Sequence, residues 1–204
     1  MWGLVESGSI TKIINKPKGL VVGDILYSRK IFELWSKSEL EAIGIYEVEF
    51  DNSNKKDEQW YINTNQTFTY DADAGTVTAT YGDATAKAHA DTLFTAQDET
   101  DGLGTEGEVA TRGLKYNLIK TVKAQAAGIL QDTDWYIVRK ADAGTAGPSS
   151  ITNHRAAVRS KAAEMETAIT NASDTPALET LYTYTEQEDK SVTRPLGELP
   201  RLES

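Results

Sequence analysis

A chain of 204 residues with 39% apolar side chains and a net charge of −10 favours two modest cores over one large core. Its acidity argues against nucleic acid and anionic membranes as partners, because both are held by Lys and Arg displacing counterions from phosphates. The lack of cysteine excludes disulfides, thiolate metal sites, iron–sulfur clusters and cysteine nucleophiles.

The opening residues, MWGLVESGSI, have no cationic segment or apolar run ahead of a cleavage site, so no secretory signal is expected. No later apolar run approaches the ~20 residues a membrane-spanning helix requires, and synthesis in the cytoplasm is the expectation. WGLVE, the Ser7-Gly8 pair and SITKIIN read as a tight hairpin, since glycine supplies the positive φ of such a turn. SKSELEAIGIYEVEF reads as a short helix capped at Ser36 or Ser38 and stopped at Gly44, feeding a strand through Tyr46, Val48 and Phe50. A second meander follows in EQWYIN, QTFTYDA and GTVTATYG, with turns at Thr64-Asn65 and at 72–75. There Phe68 and Tyr70 alternate with threonines and Asp71, and Val77, Ala79 and Tyr81 alternate with threonines, as in half-buried antiparallel strands.

Residues 95–108, TAQDETDGLGTEGE, combine acids with glycine and read as a linker or a long exposed loop. Beyond them the period becomes helical. Val109, Tyr116, Ile119, Ala126 and Leu130 form one stripe, interrupted by Gly113, Lys123 and Gly128. LQDTDWYIVRKAD reads as a short helix capped by Asp132 or Thr133, with Arg139 and Lys140 at the negative end of its dipole. Pro148 and Ser149 begin a third helix, on which Ile151, Val158 and Met165 fall seven apart, with Ala162 and Ile169 completing an a/d seam. Two such stripes must be covered, either by each other in an antiparallel hairpin or by another chain in a short coiled coil. Asp174-Thr175-Pro176 opens a last helix through Leu178, Leu181 and Tyr182, and the tail beyond Glu186 reads as extended.

No catalytic constellation is distinguishable. Gly102-Leu103-Gly104-Thr105-Glu106-Gly107 has the spacing of a dinucleotide loop, yet it lacks a preceding buried strand, and Glu106 and Glu108 would repel phosphates. Asp51, Ser53 and Asp57, like Asp71 and Asp73, suit solvated turns better than calcium loops, because Lys55 and Lys56 occupy positions that an EF-hand gives to a ligand and a glycine. The two histidines, His89 and His154, have no helical partner for a metal. No acid among the 31 is distinguished by its neighbours, and no Gly-x-Ser-x-Gly elbow surrounds a serine. Asn65-Gln66-Thr67 and Asn171-Ala172-Ser173 match glycosylation acceptors by chance. No catalytic residue, cofactor or metal is therefore expected.

The aromatic and cationic residues stand out instead. Burial of Trp135 and Tyr136 would contribute about 2–3 kcal/mol each, and their polar edges suit a wet rim, so they fit an internal seam or a protein interface equally. Arg155 and Arg159, four apart on the third helix, share a face from which they can stack on those rings or pair with acids.

The run TDWYIVRKAD followed by PSSITNHRAAVR resembles the carboxy-terminal signature of bacteriophage tail-fibre assembly proteins and related small phage tail proteins. The matching positions are Thr133, Asp134 and Trp135, then Pro148, then His154-Arg155 with Val158-Arg159. SELEAIGIYEV also resembles a segment of such proteins. His154 replaces the usual tyrosine, and the helix runs on past Arg159. The resemblance implies a non-enzymatic tail protein, located in the virion tail and in the host cytoplasm during assembly. Its implied partners are the tail fibre, the baseplate or a second copy; a transient fibre-assembly chaperone is the alternative, and a tail-associated glycan hydrolase a remoter one.

The expected fold is α+β, with an antiparallel β-rich domain over 1–94, an acidic linker over 95–108, a helical hairpin domain over 109–185 and an extended tail over 186–204. The expected protein-interaction residues are Trp135, Tyr136, Arg155, Val158, Arg159 and Met165.

Overall fold

The computed structural model describes residues 1–64 and 66–202; Asn65, one of the expected turn residues, lies outside them. The chain forms two compact units, Met1–Thr85 and Ala86–Ser204. The architecture is α+β, β-rich first and helical second.

In the first unit β1 (Trp2–Glu6) and β2 (Ser9–Ile14) pair antiparallel around Ser7 and Gly8. Both turn residues have positive φ, 52° and 78°, the geometry whose twist matches that of the flanking strands. A second hairpin, β3 (Leu20–Val22) with β4 (Ile25–Tyr27), leads into α1 (Ile31–Leu34) and α2 (Lys37–Glu41). Ser36 caps α2 in a capping box: its hydroxyl accepts from Glu39 N, and the Glu39 side chain accepts from Ser36 N at 2.7 Å. Gly44, at φ 81°, turns the chain into β5 (Ile45–Asp51). There its backbone passes so close to Val5 that a side chain would collide with the Val5 carbonyl.

The strands β6 (Tyr61–Ile62), β7 (Thr67–Asp71) and β8 (Thr76–Thr80) follow, with β9 (Thr85–Ala86) at the boundary between the units. The main sheet has the order β2-β1-β5-β8-β7. It departs from the expected all-antiparallel arrangement in one pair, since β5 and β8 run parallel with Val48 opposite Val77. The reason is connectivity: β6 and β7 lie between them in sequence, long enough for the crossover that parallel neighbours require. Strands β2 and β7, the two edges, come into contact as the sheet curls. Leu4, Ile14, Leu20, Ile31, Leu40 and Ile45 form one buried cluster, and Val48, Val77 and Ala79 a second. The alternation expected of β7 and β8 holds, with Val77 and Ala79 fully buried between threonines.

In the second unit, β10 (Thr92–Leu93), α3 (Ala96–Thr100) and β11 (Val109–Thr111) correct the expected linker. β10 pairs with β11, Phe94 N donates to Glu108 O at 2.9 Å, and Thr95 caps α3 with Asp98 in a second capping box. Residues 95–108 are thus an exposed but closed loop inside one unit. Val109 belongs to a strand, and the helix expected from it starts instead as α4 (Leu114–Gln131). Asp91 sets that start: its Oδ1 accepts from Gly113 N at 2.8 Å, and its Oδ2 pairs with Arg112 at 2.6 Å.

Next come α5 (Asp134–Ala143), α6 (Ser149–Asn171) and α7 (Thr175–Tyr182). Helices α4 and α6 pack antiparallel, since Lys115 at the start of α4 donates to Thr170 O near the end of α6, while Arg155 reaches Leu130 O at the other end. Ile151, Val158, Ala162, Met165 and Ile169 are all buried on the inward stripe of α6. On α4 the buried residues are Val122 and Ala126, whereas Tyr116 is exposed beneath the Arg112 guanidinium, 4.2 Å from its ring. The stripe on α6 is covered by α4 of the same chain, so that face offers no inter-chain coiled-coil seam. Asp174 caps α7, and Thr175, buried, donates to Lys87 O at 2.6 Å.

The tail is not extended. β12 (Thr185–Glu186) and β13 (Val192–Thr193) form a hairpin, after which Leu196 is buried and its amide donates to Leu181 O. A buried leucine ten residues past Glu186 gives the tail an anchor that its polar composition concealed.

Candidate functional site

None of the ten residues of helix α5 is buried. A helix this short is marginal in water by itself, so something else must hold it. At its start the holder is Arg155, only 5% exposed, whose Nη1 donates to Leu130 O and to Thr133 Oγ1, both at 2.6 Å. Its Nη2 meets Asp134 Oδ1 at 2.8 Å. Thr133 therefore does not cap α5 with its side chain as expected; its hydroxyl donates to Leu130 O and accepts from Arg155. Asp134 in the first turn and Lys140 in the last suit the helix dipole, and Gly144 closes the helix.

The side of α5 toward the following loop is held by an aromatic stack. The Trp135 and Tyr136 rings lie 4.0 Å apart, and the Arg139 guanidinium sits 4.6 Å from the first and 5.5 Å from the second. Arg139 also reaches Ala146 O, and Gly147 packs against the Tyr136 ring closely enough that a Cβ there would stand 3.0 Å from Tyr136 Cδ1. Even so, much apolar surface of the helix stays bare: Trp135 is 51% exposed, Ile137 48% and Val138 66%. Trp135 and Val138, three apart on the helix, share one exposed apolar face, while Ile137 is exposed on another side.

The expected interaction residues therefore separate. Trp135 and the exposed edge of Tyr136 form the surface. Arg155 does not stack on the rings but takes its other expected role, pairing with an acid as a buried clamp beneath α5; its two terminal nitrogens are bonded within the chain, while its buried Nε has no partner among the described residues. Val158 lies fully buried in the α4–α6 core and Met165 is only 1% exposed, so neither presents a surface to a protein partner in this conformation. Arg159 is exposed one turn beyond Arg155. The cation on the rings is Arg139, which the sequence offered through its spacing of four from Trp135 on a helix. Ile137 and Val138 were missed because an apolar pair next to a Trp reads as core until burial is known.

Among the described residues no group of three or more His, Cys, Asp or Glu side chains is placed to hold a metal ion, and no helix is long and apolar enough to cross a membrane. Compared with protein-family models, with curated proteins and with solved structures, the chain matches none.

Proposed function

We propose that this protein is a non-enzymatic bacteriophage tail protein that docks on a fibre or baseplate protein through the exposed face of α5, as a subunit of the virion. The observation that carries the docking is the bare Trp135 and Val138 face, with Ile137 exposed beside it, on a helix with no buried residue of its own. Leaving that much apolar surface in water is unfavourable by roughly 25 cal/mol per Å², and a partner that covers it recovers the difference. The choice of a tail partner rests on the resemblance of Thr133-Asp134-Trp135 and of Arg155 with Arg159. Three of those residues, Thr133, Asp134 and Arg155, make the clamp that holds Trp135 outward.

Capture of the particle's own fibre and baseplate proteins by the immobilised chain tests the reading. Wild-type protein should retain one of them, and Trp135→Ala or Val138→Glu should lose it while melting as wild type does. Equal capture by all three proteins would sink the proposal. A transient assembly chaperone would use the same face, and mass spectrometry of purified particles separates the two roles: a subunit is present at fixed copy number, a helper is absent.

A further inference from the structure

Within the second unit a groove of about 770 Å³ runs along α4, where Gln125, Gly128 and Ile129 share one side of the helix. Its apolar lining comes from Ile129, from Leu199 of the returning tail and from Met165, which is only 1% exposed. One wall is a closed polar network. Tyr184 donates to Glu198 Oε1 at 2.6 Å, and Arg194 grips the same carboxylate through Nε at 2.8 Å and Nη2 at 3.0 Å while stacking on the Tyr182 and Tyr184 rings. The hydrogen bond to Glu198 raises the Tyr184 hydroxyl's pKa, so that wall keeps its proton. At the rim Arg201 has no acid paired with it among the described residues.

Gly128 is the telling residue. After proline, glycine is the least favourable residue for a helix interior, and packing against a neighbour is the usual reason to find one there. Here a Cβ at position 128 would meet nothing within 4 Å. Among the described residues no contact requires the glycine, and it lines the groove. Volumes of this size, apolar with a few placed polar groups, are those of small-molecule sites.

We infer that the groove binds a small aliphatic carboxylate, its chain lying over Gly128, Ile129 and Met165 and its carboxylate meeting the Arg201 guanidinium. The Arg194–Glu198 pair, already neutral, shapes the wall and leaves Arg201 as the charge that selects an anion. This site is separate from the α5 face and does not depend on the docking reading.

The chain has two methionines, Met1 and Met165, so methyl-labelled methionine reports the groove directly. Titrating the full chain with decanoate below its aggregation threshold should shift the Met165 signal saturably and leave Met1 unmoved. Acetate should do neither, and decyltrimethylammonium should bind at least about tenfold more weakly. Gly128→Leu should abolish the shift, Gly128→Ala should raise the melting temperature yet weaken decanoate, and Arg201→Gln should erase the preference for the anion over the cation. The proposal fails if decanoate leaves Met165 unmoved, if the cationic amphiphile binds as well, or if Arg201→Gln and Gly128→Ala bind decanoate as wild type does.

Discussion

The Arg155 guanidinium lies 2.8 Å from the Asp134 carboxylate, and its other terminal nitrogen holds both the last carbonyl region of α4, at Leu130, and the Thr133 hydroxyl. One buried cation on α6 thus joins the end of α4 to the beginning of α5. It occupies a position in the α6 stripe, between Ile151 and Val158, that would otherwise be apolar. Removing it leaves polar groups without partners where water has poor access. Arg155→Ala should therefore lower unfolding stability by about 2–3 kcal/mol, less than a fully buried pair would because Asp134 can rehydrate. Arg155→Met, which keeps the volume, should cost less and should still release α5. Denaturant melts together with Trp135 fluorescence anisotropy check both parts.

Trp135 and Ile169 should respond in opposite ways. Ile169 is fully buried in the α4–α6 core, and Ile169→Ala should cost about 2–5 kcal/mol. Trp135→Ala, at a half-exposed position, should cost less than about 1 kcal/mol. Equal losses in paired thermal melts would mean that Trp135 is a core residue after all.

Gly44 combines a φ of 81° with close approach to the Val5 backbone, whose amide donates to Gly44 O at 2.7 Å. Any side chain there is strained twice. Gly44→Ala should destabilise the protein by more than about 2 kcal/mol, read from the urea midpoint at constant slope. Gly8→Ala, at a positive φ with open space around it, should cost less.

Acid should weaken the second unit through Asp91. Its bond from Gly113 N, and then that from Arg112, hold the carboxyl below the ordinary aspartate range. A carboxylate depressed in the folded state adds stability that is complete above the unfolded value of about 3.9 and disappears as pH falls through the lower folded value. Melting temperature should accordingly decline from near pH 4 downward. Asp91→Asn, which keeps an acceptor for Gly113 N but does not titrate, should flatten that decline. An unchanged acid profile in the variant would show that Asp91 contributes nothing.

The repeating patterns were legible because they depend on neighbours in sequence. The Ser7-Gly8 hairpin, the capping box at Ser36, the alternation through Val77 and Ala79, and the Ile151 to Ile169 stripe all follow from local geometry and solvent contrast. Pairing over distance was not legible. Nothing in residues 95–108 announces that Phe94 will close a loop with Glu108, and nothing in a polar tail announces the burial of Leu196. The candidate site divided in the same way. Trp135 and Tyr136 stood out by composition; of the two roles expected of Arg155 it took the pairing with an acid, and the stacking on the rings fell to Arg139, expected only to complement the helix dipole.

What the sequence determined by itself is the α+β order of the chain and the inward stripes of β7, β8 and α6, since side-chain periodicity sets which face meets water; of the stripe expected on α4 only Ala126 is buried. Only the tertiary structure decided that Arg155 turns inward, that Arg139 covers the rings, and that α5 keeps an apolar face in solvent. Those outcomes depend on which carbonyls and carboxylates the packing of α4 against α6 brings within hydrogen-bond reach, and a distance between residues twenty or more apart in sequence is not encoded in any local pattern.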